Sequence, residues 1–168
     1  MTSQSHYNEE YFNWQSHVGK FGAAANKIKF ERLIKQNEKV LDFGCGAGEM
    51  LIGLRNRPNF TLWGCDLESD LVDWCSSNLN AQCLKNELDP PLPYEDNSFD
   101  VINAISVFTH LSLDMQFKWA WELYRVIKPS GYLHFTAHGP AFSIWRITAL
   151  SMGACSTKLT MKKHAVSA

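Results

Sequence analysis

The stretch Val40-Leu41-Asp42-Phe43-Gly44-Cys45-Gly46-Ala47-Gly48 decides how this chain is expected to fold. Two apolar residues lead into a turn that contains three glycines, and a helix-like run, Glu49 to Arg55, follows. Glycines in such a turn tolerate positive φ angles and let a ligand approach the backbone, while the unpaired amides at a helix start favour a carboxylate or phosphate. The stretch therefore predicts a strand, a tight turn and a helix that together bind a nucleotide-like cofactor.

A second acidic residue supports this prediction. Asp66 ends another apolar run, Phe60 to Cys65, and stands 18 residues beyond Gly48. An acid at the end of the second strand of a nucleotide-binding unit can accept hydrogen bonds from both hydroxyls of a ribose. We therefore expect the glycine turn and Asp66 to contact two parts of one ligand.

Two details of the turn argue against a dinucleotide. The fingerprint G-x-G-x-x-G would place its third glycine at position 49, where the chain has Glu49. Asp42, two residues before Gly44, adds a negative charge that disfavours a pyrophosphate and favours an ammonium or sulfonium group. An NAD-dependent oxidoreductase is therefore the less favoured alternative.

The turn resembles the first motif of class I S-adenosylmethionine-dependent methyltransferases, which reads roughly V-L-D-x-G-C-G-x-G. Two further segments extend the resemblance. Leu92–Ile102 is similar to the family's L-P-[FY]-x-D-x-S-F-D-x-[VI] segment before the fourth strand. Glu122–Gly131 is similar to its E-x-x-R-V-L-K-P-G-G helix end, with Ser130 in place of a glycine. The resemblance runs from about Val40 to Gly139, most of the chain.

Apolar runs alternate with helix-like segments along the chain. This alternation predicts an α/β fold of the Rossmann-like, doubly wound type, with a mostly parallel sheet and helices on both faces. The predicted strands are Lys39–Asp42, Phe60–Asp66, Ala81–Leu84, Asp100–Ser106 and Tyr132–Ala137, and the predicted helices are Glu49–Arg55, Ser69–Leu79 and Ser112–Ile127. The last helix carries a predicted core stripe at three- and four-residue spacing: Trp119, Ala120, Leu123, Val126 and Ile127.

The two ends of the chain are harder to interpret. Residues 1–38 are expected to form a helical or lid segment ahead of a single domain, 39–168, and this segment either folds over the site, as the resemblance implies, or packs on the sheet. Family members end their sheet with a hairpin that adds an antiparallel strand beside strand five. Only Pro140–Ala168 remains here, and it contains a helix-like stretch at Ala141–Leu150, so C-terminal strands should be shortened or missing. Strand five would then be an exposed edge, which makes a homodimer a candidate.

Composition narrows the classes of partner. The chain has 168 residues, 45% of them hydrophobic, and its 16 Lys and Arg against 17 Asp and Glu give a formal net charge of -1. This balance provides no basic field for nucleic acid, and no apolar run is long enough to span a membrane. The five cysteines form no C-x-x-C pair and are odd in number, which argues against a disulfide framework and favours the cytoplasm. Cys45 is expected to be a small packing residue rather than a nucleophile.

The resemblance also implies a cofactor and a set of contacts. The cofactor would be S-adenosylmethionine, with S-adenosylhomocysteine as its product. The methionine moiety would lie against Asp42, Gly44, Cys45, Gly46 and Gly48. Asp66 would bind the ribose and Leu67 would contact the adenine, whose amino group would be reached by Asn86 or Glu87. Ser106 stands at the end of predicted strand four, where cofactor and acceptor would meet.

The chemistry needs few catalytic groups. S-adenosylmethionine carries an activated methyl group, so the protein mainly has to align it with the acceptor and exclude water. His110 is the best candidate for a general base, because imidazole titrates near neutral pH, although it could also be a loop histidine that caps or packs. His138 is a second candidate. His134 and His138 share i, i+4 spacing, but on a strand without an acidic third ligand they predict no metal site.

The resemblance therefore implies methyl transfer from S-adenosylmethionine, and we expect an unidentified small-molecule acceptor. The alternative is a non-catalytic S-adenosylmethionine-binding module, or a fragment of a methyltransferase within a larger assembly. Both should bind the cofactor, but only the enzyme should transfer the methyl group.

Overall fold

A computed structural model describes Ile34 and residues 38–55, 60–136 and 158–162. Six strands within these residues form one sheet in the order β3-β2-β1-β4-β5-β6. The strands are β1 (Lys39–Phe43), β2 (Thr61–Asp66), β3 (Ala81–Lys85), β4 (Phe99–Ala104), β5 (Ile127–Thr136) and β6 (Lys158–Lys162). The first five are parallel, and β6 is antiparallel to β5. The predicted doubly wound α/β fold is confirmed.

Helices cover both faces of this sheet. They are α1 (Glu49–Leu54), α2 (Ser69–Asn78) and α3 (Leu113–Val126), and a short 3-10 helix, Phe108–His110, follows β4. Val40 of β1 packs in an apolar cluster with residues of α1 and α2, whereas Leu41, the next residue, packs in a second cluster with residues of α3. Successive side chains of a strand point to opposite faces, so the continuous apolar runs serve two cores. The predicted stripe is buried as expected, with Trp119, Ala120, Leu123 and Val126 on α3 and Ile127 at the start of β5.

Most predicted boundaries lie within one residue of those in the structure, but two strand boundaries differ by more. Strand β4 ends at Ala104 rather than Ser106, because Ser106 has a left-handed φ of 61°. Strand β5 begins at Ile127 rather than Tyr132. Helix α3 ends at Val126, and the chain enters the sheet directly, so that Ile127 pairs with Phe99 before a register shift.

The C-terminal end of the sheet corrects one expectation. The prediction that β5 is an exposed edge is wrong, because β6 pairs antiparallel along it from Tyr132 opposite Lys162 to Thr136 opposite Lys158. The strand follows a strict polar and apolar alternation, Lys158-Leu159-Thr160-Met161-Lys162, which is typical of a short strand. The edge argument for a homodimer therefore no longer holds. The predicted helix 141–150, His138 and the predicted segment 1–38, apart from Ile34 and Glu38, lie outside the described residues.

Arg125 joins the two segments that resemble family motifs outside the turn. Its guanidinium donates two hydrogen bonds to the Glu122 carboxylate, at 2.6 and 2.9 Å, and others to the Tyr94 carbonyl and the Asp96 carboxylate. Glu122 is 7% exposed and its Oε1 also accepts from the Leu92 amide at 2.7 Å. The loop before β4 is thus fixed to the end of α3.

The Glu122→Ala substitution should lower the free energy of unfolding by about 2 to 4 kcal/mol, because it leaves the Leu92 amide without its carboxylate partner and removes a bidentate ion pair from Arg125. Chemical denaturation followed by circular dichroism measures this change. Lys118→Ala is the matched control on α3, since Lys118 makes only exposed ion pairs to Asp89 and Asp114 and should leave stability nearly unchanged. Equal effects of both substitutions would contradict the assignment.

Candidate cofactor site

The end of β2 holds the glycine turn in place. The amides of Gly44 and Cys45 both donate to the Cys65 carbonyl, at 2.8 and 3.0 Å. The next amide, that of Gly46, donates to Oδ2 of Asp66 at 2.8 Å. Three consecutive amides of the turn are therefore bound by two consecutive residues of β2, and this fixes the turn across the carboxyl ends of β1 and β2.

The three turn glycines have different surroundings. All have positive φ angles, 72° at Gly44, 50° at Gly46 and 74° at Gly48. A Cβ atom added to Gly44 would collide with Val107, and one added to Gly48 would collide with Leu79. A Cβ added to Gly46 would meet nothing within 4 Å. Gly44 and Gly48 therefore permit close packing, whereas Gly46 faces open space.

A cavity of about 300 Å³ opens beside the turn. It lies at the carboxyl ends of the strands, where open parallel sheets bind ligands. The lining is mostly apolar, with a few polar groups that can orient a small ligand. Its residues are Phe43, Gly44, Asp66, Leu67, Asn86, Leu88, Ile105, Ser106, Val107, His110, Leu111 and Trp119. Six residues predicted from the sequence are thus brought together: Gly44, Asp66, Leu67, Asn86, Ser106 and His110.

The remaining predicted residues are not among those that line the cavity. Asp42 and Cys45 are buried below it, at 4% and 5% exposure. Gly46 is connected to the cavity through its bond to Asp66, and Gly48 is buried at the start of α1. Of the two alternatives left open for the adenine contact, Asn86 lines the cavity and the exposed Glu87 does not.

Asp66 is held rigidly at the mouth of the turn. Its Oδ2 accepts from the Gly46 amide, and its Oδ1 accepts from the Glu68 amide at 3.1 Å. Each carboxylate oxygen has a second lone pair for another donor. The Asp66 carbonyl accepts from the Asn86 amide at 3.0 Å, so the backbone also fixes the positions of these two side chains relative to one another.

A buried polar row lies beneath the turn, and sequence reasoning did not predict it. Asn103 on β4 donates from Nδ2 to Oδ1 of Asp42 at 2.7 Å. Its own Oδ1 lies 3.1 Å from Nδ1 of His134 on β5, and since an amide oxygen only accepts, that nitrogen donates. The three residues face one another in the strand register, Asp42 with Asn103 and Asn103 with His134. Only this register could have indicated the row.

Burial raises the pKa of the Asp42 carboxyl to about 7, although the Asn103 hydrogen bond acts in the opposite direction. The negative charges of Asp66 and Glu49 raise this pKa further. The carboxyl therefore titrates near neutral pH in the folded chain. A cation placed above the turn would favour its ionised form.

Trp119 has two roles, of which only one was predicted. As expected it is a core residue, 2% exposed, with its ring 4.7 Å from that of Phe43. It also lines the cavity, and its indole Nε1 donates to the Leu88 carbonyl at 3.2 Å. This bond connects α3 to the loop after β3, which forms one wall of the cavity.

Comparison with known proteins identifies the family and agrees with the fold. The sequence model of the family described as "Methyltransferase domain" matches residues 40–131, more than half of the chain, and the chain belongs to this family. Its cofactor is S-adenosylmethionine. A SAM-dependent methyltransferase from Aquifex aeolicus has a similar fold, with a TM-score of 0.65, 24% identity and coverage of 88% of each chain.

Curated relatives differ in what they methylate. The chain is 29% identical over 141 residues to a sterol 24-C-methyltransferase from Schizosaccharomyces pombe, a match that covers 77% of this chain and 35% of the relative. It is 25% identical over 117 residues to the tRNA N(3)-methylcytidine methyltransferase Mettl2 from Drosophila melanogaster, covering 63% of this chain and 36% of that protein. The chain thus spans less than half of these relatives.

None of the helices in the described part of the chain has the length and apolar character that a membrane span requires.

Asp42→Asn should change how stability depends on pH. Between about pH 4 and about pH 7 the folded chain keeps the Asp42 proton that the unfolded chain has lost, so this group stabilises the fold at low pH and the contribution disappears as the pH rises through about 7. The variant has no carboxyl at this position and therefore does not lose this contribution. The unfolding free energy of the variant minus that of the wild type should rise by on the order of 3 kcal/mol across this interval.

Denaturation curves of both proteins at matched pH values measure the difference, and titration of all other groups cancels in it. Parallel stability profiles of the two proteins would show that Asp42 is not the titrating group.

Proposed function

We propose that this chain binds S-adenosylmethionine in the cavity beside the glycine turn and transfers its methyl group to a small-molecule acceptor. The observation that carries the proposal is the turn itself, where Gly44 and Gly48 are packed against side chains while Gly46 faces open space beside a fixed carboxylate. The sulfonium of the bound cofactor supplies the activated methyl group. The chain has to hold it, orient the acceptor and exclude water.

The ribose would bind to Asp66. Amides of Gly46 and Glu68 already hold both carboxylate oxygens, which keeps the carboxylate pre-oriented while each oxygen can accept one more hydrogen bond. A carboxylate fixed in this way loses little side-chain entropy when a diol binds. Leu67, 44% exposed, would then cover one face of the adenine.

Asn86 would contact the adenine edge. It is 6% exposed and lines the cavity, and its Nδ2 donates to the Glu87 carbonyl at 2.9 Å. This bond points Oδ1 away from Glu87, and we assign Oδ1 as the acceptor for the exocyclic amino group. Glu87 supports the site only through its carbonyl.

The methionine end would lie over the turn, above Asp42. Asp42 does not line the cavity, so its effect would be electrostatic rather than a direct contact. Together with Asp66 and Glu49 it makes the turn a region of negative potential, which suits the ammonium and sulfonium groups and disfavours a pyrophosphate. This is why we prefer S-adenosylmethionine to a dinucleotide at this turn.

His110 would act as the general base at the acceptor end of the cavity. It lies at the end of the 3-10 helix after β4, is exposed, and lines the cavity with Ser106 and Leu111. Its amide donates to the Val107 carbonyl at 3.0 Å, which fixes the backbone there. An imidazole in this position can remove a proton from an oxygen or nitrogen acceptor as the methyl group arrives.

A small-molecule acceptor fits the described surface better than tRNA does. The cavity is mainly apolar, and the net charge of -1 offers no field for a polyanion. The name of the Schizosaccharomyces pombe relative includes a sterol, and that of the Drosophila relative includes tRNA, so both classes belong in the test.

Gly46→Ala should weaken binding of S-adenosylhomocysteine by at least about tenfold, because the new Cβ enters the open space that the cofactor would occupy. The chain should still fold, since the positive φ costs an alanine only about 1 kcal/mol. Gly48→Ala is the matched control and should mainly destabilise the fold, because its Cβ would collide with Leu79. Asp66→Ala should weaken binding by about 1.5 to 3 kcal/mol. Isothermal titration calorimetry and thermal denaturation separate the two effects. Full affinity in the Gly46 variant would rule out the turn as the site.

Methyl transfer itself is tested by incubating the chain with methyl-labelled cofactor and a panel of small molecules and tRNA, followed by mass spectrometry. We expect a labelled small molecule, and we expect His110→Asn to slow its formation by about 100-fold or more without changing the affinity for S-adenosylhomocysteine. Label in tRNA would contradict the proposed acceptor class. Cofactor binding without label in any acceptor would favour the non-catalytic binding module.

A further inference from the structure

Three cysteines from three different elements meet below the glycine turn. Cys45 lies in the turn, Cys75 on α2 and Cys83 on β3, and their sulfur atoms are all within 4.8 Å of one another. All three side chains are buried, at 5%, 0% and 8% exposure. We call this group the thiol cluster. Its members are 30 and 8 positions apart in sequence, so no spacing motif could have indicated it.

Two glycines make room for the thiol cluster. A Cβ added to Gly64 on β2 would stand 3.0 Å from the sulfur of Cys83 and 3.1 Å from that of Cys45. A Cβ added to Gly48 would stand 2.9 Å from the sulfur of Cys75. The carbonyl oxygen of Gly46 lies beside the cluster, 3.4 Å from the Cys75 sulfur and 3.8 Å from the Cys45 sulfur. The cluster therefore presents three sulfur donors and one oxygen.

This donor set matches soft metal ions. Thiolates select ions such as Zn²⁺ or Cu⁺, whereas Mg²⁺ and Ca²⁺ prefer oxygen ligands. A zinc–sulfur bond is about 2.3 Å, so three sulfurs at tetrahedral positions around one ion would be about 3.8 Å apart. This distance is compatible with the cluster, whose sulfur atoms all lie within 4.8 Å of one another.

We propose that the thiol cluster is a binding site for one soft metal ion of the Zn²⁺ class. The ion would bond to the three sulfurs, with the Gly46 carbonyl as a fourth donor. The three thiols would release their protons to water and bind as thiolates, so that a divalent ion leaves a single net negative charge at the cluster. The bound ion would connect the turn, α2 and β3, and would stabilise only the folded chain.

Titration with Cd²⁺, which gives a near-ultraviolet thiolate-to-metal absorption, tests the proposal. All proteins carry Cys155→Ser, because Cys155 lies outside the described residues, and a phosphine reductant keeps the thiols reduced. We expect saturation at one ion per chain and a higher melting temperature with Cd²⁺ or Zn²⁺. Cys75→Ala and Cys83→Ala should each weaken binding at least about tenfold and remove most of the thermal shift.

Cys65→Ala is the matched control. Cys65 is a free, fully buried thiol on β2 that does not belong to the thiol cluster, so this variant should keep the absorption, the stoichiometry and the thermal shift. Absence of saturable binding in the parent protein would overturn the proposal. So would equal binding by the Cys75, Cys83 and Cys65 variants, since the three thiols would then serve only to pack the core.

Discussion

The rest of the site depends on one constraint: three consecutive backbone amides of the glycine turn donate hydrogen bonds to the end of β2. Because Gly44, Cys45 and Gly46 all donate to Cys65 and Asp66, the turn cannot move independently of the second strand. The same bonds orient the Asp66 carboxylate and leave the Gly46 position facing open space. The geometry of the proposed cofactor site thus depends on hydrogen bonds from three amides of the turn to β2, two to the Cys65 carbonyl and one to the Asp66 carboxylate.

Charge below the turn adds selectivity to this geometry. The row from Asp42 through Asn103 to His134 places a buried carboxyl beneath a site that has two further carboxylates beside it, those of Asp66 and Glu49. A ligand with phosphates would meet this potential unfavourably, whereas a ligand with a cationic group would lower the cost of ionising Asp42. Fold and electrostatics therefore favour the same cofactor.

Sequence patterns predicted the elements that are governed by local rules. The strand, glycine turn and helix at Val40–Leu54, the core stripe of α3 and the acid at Asp66 all follow from periodicity and turn chemistry, and the structure has each of them. The motif segments around Leu92 and Arg125 were recognised, but not the reason that they occur together, which is the ion pair between Arg125 and Glu122 and its bonds to the preceding loop.

What the sequence did not predict depends on contacts between distant residues. To predict β6 one has to know that a five-residue alternating stretch pairs with β5. To predict the contact between Asn103 and Asp42 one has to know the register of β4 against β1. The thiol cluster needed the packing of α2 against β3 and the turn. Whether Asn86 or Glu87 lines the cavity depends on the path of the chain after β3. None of these can be derived from spacing along the chain.

The most direct test of the account is a map of backbone amide chemical shifts during titration of the isotope-labelled chain with S-adenosylhomocysteine. The account predicts that the largest shift changes occur in the turn, at Leu67 and at Asn86. The amide shifts of Lys118 and Trp121, on the outer side of α3, should stay unchanged. Changes centred on α3 instead, or a spectrum that stays unchanged at saturating ligand, would contradict the claim that the turn held by β2 is the cofactor site.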